Sequence, residues 1–300
     1  MSKKKALVQT IRIPFLILTP VCILLGVSLA KFQGYSINYY DVLLVLVAAL
    51  MAHISVNTLN EYFDFKSGLD LNTQRTPFSG GSGALPNNPD LHHNVLSIGI
   101  ASLVVTLIIG LYFINRFGLA IAPIGVLGLI LVLSYTQWIN KHPLLCLIAP
   151  GLGFGLLFVL GTHYVFSENY HFIPLLIALI PFFLVNNLLL LNQYPDIQAD
   201  KKAGRNHFPI AFGIKKSNAV YALFVLSTII SLVYLVINNL LPTISLLALI
   251  PMPLALFSLS GANKHGNKIG LYPHYLAANV AVTLLVPLVL SISLIYSANT

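Results

Sequence analysis

Apolar residues run through the chain in long unbroken stretches, and polar residues collect in the gaps between them. A helix needs about 20 mostly apolar residues to cross the ~30 Å hydrocarbon layer of a bilayer. Nine stretches meet that requirement: 13–31, 41–59, 94–114, 117–134, 143–165, 172–192, 216–237, 241–259 and 273–297. The pattern predicts an all-α polytopic membrane protein of about nine transmembrane helices, with 1–300 as a single transmembrane domain. The first stretch is too long for a secretory leader and is followed by no small-residue cleavage site, so it is expected to remain as a span. Most connections are short. Two are long, at about 60–93 and about 193–215, and they are four spans apart, which suggests a duplicated bundle.

Composition removes the soluble alternatives. Of the 300 residues, 57% are hydrophobic and only 8% charged, against about 25% charged in an ordinary globular domain. Two cysteines, Cys22 and Cys146, both lie in apolar runs and read as small core residues rather than a disulfide framework. A net charge of +8 in so charge-poor a chain reads as a basic membrane face, not as a nucleic-acid surface. With a cytoplasmic N-terminus and nine alternating spans, 14 of the 16 basic residues fall inside, and only Lys31 and Arg116 outside. That split predicts an inner (cytoplasmic) bacterial membrane, with both long loops facing the cytoplasm.

Six of the eight acidic residues lie in those two loops. The first segment, 57–75, carries Asn60, Asp64, Lys66, Asp70 and Arg75; the second, 192–205, carries Asn192, Asp196, Asp200, Lys202 and Arg205. In each, an Asp follows an Asn by four residues, the spacing that puts two side chains on one helix face. Asn192, Asp196 and Asp200 extend that stripe to i+8. Gly68 is expected to end the first helix and let Asp70 turn back, and Pro195 to kink the second. Carboxylates at a membrane surface repel one another unless a cation lies between them. Hard oxygen donors suit Mg2+, which takes one or two protein carboxylates, water and substrate phosphates. Neighbouring Arg side chains grip phosphate oxygens. The combination predicts a diphosphate site shared by two facing stripes.

These residues resemble the two Asp-rich motifs of the UbiA-type integral membrane prenyltransferases. Asn60, Asp64 and Asp70 match the first motif, Asn192, Asp196 and Asp200 the second, and the run Asp200-Lys201-Lys202-Ala203-Gly204-Arg205 resembles the end of the second. Within the family the chain is most similar to the 1,4-dihydroxy-2-naphthoate polyprenyltransferases of menaquinone biosynthesis. That similarity rests on Asn60–Phe65, Lys66-Ser67-Gly68, Tyr135-Thr136, Gly151–Gly155 and Val159–Thr162. The chain departs from that branch at Glu61, where Asp is frequent, and in the glycine-rich run Ser79–Gly83.

The resemblance implies Mg2+-dependent transfer of a polyprenyl group from polyprenyl diphosphate to an aromatic acceptor, with membrane lipid around the protein. Asp64, Asp70, Asp196 and Asp200, with Asn60 and Asn192, would hold the metal and act in catalysis. Asn60, Asn192, Arg75, Lys202, Arg205, Lys66, Tyr135 and Tyr194 would contact substrate. Acceptors other than the naphthoate, such as 4-hydroxybenzoate, and a UbiA-like terpene cyclase stay open. A secondary transporter is disfavoured, since its polar groups gather at the bilayer midplane. His53 reads as a satisfied intramembrane histidine. Asn186, Asn187 and Asn279 are expected to face the cavity. Backbone amides of Ser79–Gly83 could form a phosphate nest.

Overall fold

In the computed structural model, which describes residues 3–73 and 75–299, the chain is helical throughout, as the hydropathy pattern predicts. Eight helices are long and apolar enough to cross a membrane: α1 (Lys3–Phe32), α2 (Tyr39–Lys66), α3 (Pro89–Phe117), α5 (Pro143–Ser167), α6 (Phe172–Asn192), α7 (Phe208–Ile237), α8 (Thr243–Leu271) and α9 (Pro273–Ala298). The expected fourth span is present as α4 (Leu119–Ser134), shorter than the others. Consecutive helices pack beside one another, and α9 closes onto α1; inside this arrangement α5 also meets α1, and α6 also meets α9. Large apolar side chains such as Ile130, Leu226 and Ile237 cover the outside, where lipid replaces water as their surroundings.

Local sequence sets the helix ends. Asn38 begins α2 by accepting the Tyr40 N–H at 2.9 Å. Gly68, at φ 76°, ends it as expected, because only glycine takes that left-handed backbone without strain. Helix α2 runs past the apolar stretch through Asp64 to Lys66, so Asn60 and Asp64 share a helix, as expected. The α7 segment begins at Phe208 but is kinked at Gly213, whose φ of 80° and ψ of 164° are not helical, so the continuous spanning helix starts close to the expected 216. Both ends carry charged residues, where long side chains such as Lys66, Lys215 and Lys216 can reach water. One difference concerns the second acidic stripe. Helix α6 stops at Asn192, a turn covers 193–196, and a new short helix spans Ile197–Lys202, so the stripe is not one continuous helix face. Pro195, in that turn, cannot donate to a continuing ladder.

Lipid supplies no hydrogen bonds, so buried polar groups must find partners within the bundle. Asn187 Nδ2 donates to the Tyr221 carbonyl (3.0 Å), the Tyr221 hydroxyl to Asn279 Oδ1 (2.9 Å), and Asn279 Nδ2 to the Asn187 carbonyl (3.1 Å). This closed circuit joins α6, α7 and α9. It corrects the expectation that Asn187 and Asn279 face the cavity: both belong to the core between helices. Asn186 is also corrected, because its Oδ1 accepts the Gly151 N–H of α5 at 2.6 Å.

That contact coincides with an irregularity. Pro150 withdraws one backbone donor from α5, and the helix widens to a π-helical turn over Leu152–Phe158. The widened turn sits against α6 so closely that a Cβ on Gly155 would lie 2.4 Å from the Phe182 backbone. Gly155→Ala is therefore expected to destabilise the protein by about 1–3 kcal/mol, the usual cost of overpacking. Gly110→Ala, which meets nothing within 4 Å, should leave stability unchanged. Thermal unfolding of the two detergent-solubilised variants checks this; equal midpoints would refute the close α5–α6 contact.

Candidate functional site

The two acid-bearing segments leave the C-terminal ends of α2 and α6, and the structure brings them together at one cavity of about 580 Å³. Helix C-termini already concentrate negative potential. Adding carboxylates there creates a demand for cations that the fold must meet. Asn60, Asp64, Asp70, Asn192, Asp196, Asp200, Arg205 and Tyr135, all singled out from sequence, line this cavity.

Arg205 links the motifs directly. Its guanidinium forms ion pairs with Asp64 of the first and, at 2.9 Å, with Asp200 Oδ1 of the second. The second oxygen of Asp200 lies 2.9 Å from His207 Nε2. Asn60 Oδ1 accepts from the Thr136 hydroxyl at 3.0 Å, which ties the first motif to the segment after α4. The glycine-rich run folds over the acids. Gly80 N–H donates to Asp196 Oδ2 at 2.9 Å. Gly81 packs so tightly on Asp70 that a Cβ there would lie 2.7 Å from its Oδ1, and its φ of 71° is itself one that glycine favours.

Other expected contacts are absent. Tyr194 is fully buried in the core, where its hydroxyl donates to Asn218 Oδ1 at 2.6 Å, because the 193–196 turn directs it between helices. Lys66 is exposed, with its ammonium 5.9 Å from the Tyr62 ring centroid, and Lys202 is exposed as well. Lys66 ends α2 and Lys202 ends the short 197–202 helix, positions where a long charged side chain is best hydrated. Arg75 does not line the cavity. Its guanidinium rests against Gly83 and reaches the Asp70 carbonyl at 3.4 Å.

Sequence reasoning missed several lining residues. Arg12 of α1, His207 and Asn140 reach the cavity. His53 is the satisfied intramembrane histidine expected of it, with Nδ1 2.8 Å from the Thr19 hydroxyl, and it also lines the wall. The scarcity of charge was the available signal for Arg12: a basic residue two positions before Pro14, at the start of an apolar run, has few carboxylates to pair with.

The residues fit a hard divalent cation. Among the described residues no three His, Cys, Asp or Glu groups converge closely enough to hold a metal unaided. Mg2+ does not need them, since water and substrate phosphate complete its shell. The decisive observation is which buried oxygens lack a hydrogen-bond partner: Asp70 Oδ2, Asn192 Oδ1 and Asp196 Oδ1 are among them, all on cavity-lining residues. Unpaired buried acceptors are costly, and a cation would satisfy them. Burial, reinforced by Glu61 and Asp64, pushes the Asp70 carboxyl up to about 7; burial, reinforced by Asp200, does the same for Asp196. Burial also holds the Tyr135 hydroxyl well above its ordinary range, so it stays protonated.

Away from the acids the cavity becomes apolar, walled by residues such as Phe154, Phe158, Ile121 and Leu129. On the side of α3 and α4 its wall reaches the outer surface, where lining residues Leu111 and Val126 are 54% and 52% exposed.

The model of the UbiA prenyltransferase family matches residues 19–270, most of the chain. The chain belongs to that family. Two relatives named 1,4-dihydroxy-2-naphthoate octaprenyltransferase are similar to it. The one from Bacillus subtilis (strain 168) is 29% identical over 201 residues, covering 65% of this chain and 62% of the relative. The one from Haemophilus influenzae (strain ATCC 51907 / DSM 11121 / KW20 / Rd) is 26% identical over 207 residues, covering 68% and 66%. The match thus spans less than two thirds of either relative's length. Solved UbiA-fold structures superpose over nearly the whole chain. A digeranylgeranylglyceryl phosphate synthase gives a TM-score of 0.69 at 17% identity, covering 99% of this chain and 100% of that one. A UbiA homolog from Archaeoglobus fulgidus, bound to GPP and Mg2+, gives 0.67 at 16%, covering 97% and 99%. The UbiA fold is therefore established for the chain.

Proton linkage at this UbiA site has a defined sign. Asp70 and Asp196 hold protons in the metal-free fold up to about pH 7, whereas in the unfolded chain they lose them near 3.8. Stability of the metal-free protein is expected to fall as pH rises from about 4 to about 7 and then level off. A divalent cation held by these carboxylates would have to displace those protons, so stabilisation by added Mg2+ should be larger at pH 8 than at pH 6. Unfolding midpoints with Mg2+ and with chelator at the two pH values test this; a larger Mg2+ effect at pH 6 would contradict the assignment.

Proposed function

We propose that the protein transfers a polyprenyl group from polyprenyl diphosphate to an aromatic quinone precursor, 1,4-dihydroxy-2-naphthoate, in a Mg2+-dependent reaction. The observation that carries this reading is the meeting of two acid-bearing helix ends, four spans apart in sequence, at the polar mouth of a single apolar cavity. The names of the two relatives support the acceptor, and the GPP and Mg2+ bound by the Archaeoglobus homolog support the donor and the metal.

Asp64, Asp70, Asp196 and Asp200, with Asn60 and Asn192, would hold the metal. Bound Mg2+ would neutralise the diphosphate and so stabilise it as a leaving group. The remaining work falls to the chain's own residues. Arg205 holds the two motifs at a fixed separation. The Gly80 N–H and the close-packed Gly81 keep the 79–83 run over the acids, which excludes water from an ionising allylic diphosphate. The apolar wall receives the prenyl tail, and the flank at α3 and α4 gives it a path into lipid. Rings such as Phe154 offer π-faces to a cationic allyl group. In the transfer, the bond from prenyl C1 to the diphosphate oxygen breaks with its electron pair leaving on diphosphate. A bond forms from C1 to the ring carbon that bears the carboxylate, and CO2 departs from that carbon in place of a proton. The charge asymmetry of the sequence supports a cytoplasmic mouth.

Membranes containing the protein, given labelled polyprenyl diphosphate and the naphthoate, should yield prenylated product with release of CO2. Chelator should abolish it, and Asp64→Asn or Asp196→Asn should lower the rate by roughly 10²-fold or more, the scale of losing an electrostatic catalytic group. Product with 4-hydroxybenzoate alone would overturn the acceptor, and absence of donor turnover by folded protein would overturn the transferase reading. Orientation is tested separately: Lys201→Cys should react with an impermeant thiol probe only from the cytoplasmic side.

A further inference from the structure

The first span contains a backbone feature that the metal site does not require. Helix α1 breaks at Arg12, whose φ of 57° and ψ of 51° lie in the left-handed region. A residue with a Cβ is strained in this conformation, and such outliers persist only where the surroundings hold them. Two residues of the first acidic segment do the holding. Asn57 Nδ2 donates to the Ile11 carbonyl at 3.0 Å, just where the helix is interrupted. Glu61, with no exposed surface, accepts both Nε (2.8 Å) and Nη2 (2.5 Å) of Arg12 on Oε1.

Glu61 is not positioned as a metal ligand. Its two oxygens are taken by Arg12 and by Ser82, whose N–H donates to Oε1 at 2.8 Å and whose hydroxyl donates to Oε2 at 2.7 Å. It does not line the cavity, whereas Arg12 does. The guanidinium is therefore gripped along one edge, and its Nη1 keeps no hydrogen-bond partner among the described residues. Arg12 also lies within electrostatic reach of Asp64 and Asp70. Arg205, by contrast, spends both terminal nitrogens on Asp64 and Asp200. Of the two arginines lining the cavity, Arg12 is the one whose guanidinium keeps a terminal nitrogen unpaired among the described residues.

We propose that Arg12, positioned by Glu61, is an oxyanion-binding residue of the substrate cavity. This inference rests on the prenyl-transfer reading. The ligand is an anionic oxygen group, supplied either by the donor's diphosphate or by the acceptor's carboxylate. A planar guanidinium held on one edge presents its free edge in a fixed orientation, which is what recognition of a carboxylate or phosphate needs.

The test measures steady-state kinetics with each substrate varied, together with inhibition by inorganic pyrophosphate. Arg12→Gly suits the left-handed backbone but leaves Glu61 buried and unpaired. The double variant Arg12→Gly/Glu61→Gln removes both charges, while the carboxamide oxygen it introduces can still accept from Ser82, so folding is protected. Wild-type turnover comes first, since its absence would defeat the transfer reading rather than this one. With wild type active, the double variant should raise one KM by about 10- to 100-fold, the scale of a charge-assisted hydrogen bond, with a smaller fall in kcat. A rise in donor KM with weakened pyrophosphate inhibition assigns Arg12 to the diphosphate; a rise in acceptor KM alone assigns it to the carboxylate. Glu61→Gln alone should move the same KM in the same direction by less, as fits a positioning residue. Folded double variant with both KM values and pyrophosphate inhibition unchanged would overturn the proposal.

Discussion

Everything at the mouth of this protein follows from crowding carboxylates at the ends of two helices inside a membrane protein. Asp64, Asp70, Asp196 and Asp200 all reach one cavity, and Glu61 is buried beside it. Each helix end adds its own partial negative charge. Such an arrangement is unstable unless cations are supplied, and the chain supplies two arginines by different means. Arg205 arrives on a short segment after the second motif, within five residues of Asp200. Arg12 arrives from another helix, through a backbone conformation that arginine rarely adopts. What the arginines leave unsatisfied, on Asp70, Asn192 and Asp196, is a set of oxygens that a metal ion with its phosphate partner would complete.

The same bundle separates two kinds of polar group. Between α6, α7 and α9, the Asn187–Tyr221–Asn279 circuit pairs its members with one another and serves to join helices, leaving only Asn187 Oδ1 of its three side chains without a partner among the described residues. At the cavity mouth, polar groups are left partly unmatched. The difference distinguishes structural polarity from polarity available to a ligand, and it cannot be read from residue type, since asparagine serves both purposes.

Much of this was legible in the sequence. Apolar run lengths located the eight helices of spanning length and the shorter α4, because hydrocarbon thickness sets how long an apolar run a span needs. The four-residue spacing of Asn60 and Asp64, and its repeat at Asn192 and Asp196, pointed to the residues that meet at the cavity. Three things were not legible. Tyr194 stands next to a motif residue yet faces the core, because a turn replaces the helix whose periodicity placed it. Asn186 pairs with a backbone N–H across a helix contact that no local pattern encodes. Arg12 reaches the site only because α1 breaks, and the groups that stabilise the break, Asn57 and Glu61, are more than forty residues away in sequence.

The shortness of α4 has a consequence for the surrounding bilayer. At 1.5 Å per residue, Leu119–Ser134 extends about 24 Å, less than the ~30 Å of hydrocarbon beside it. A span too short for its bilayer is accommodated by local thinning, at a modest energetic cost. Here the thin zone lies on the flank that α4 shares with α3. Where thinning accommodates the mismatch, headgroups dip toward the protein on that flank and the water boundary comes closer to the cavity wall. An amphiphile whose charged end rides at the headgroup level and whose tail lies in lipid would therefore approach the cavity with both ends already at the right depth.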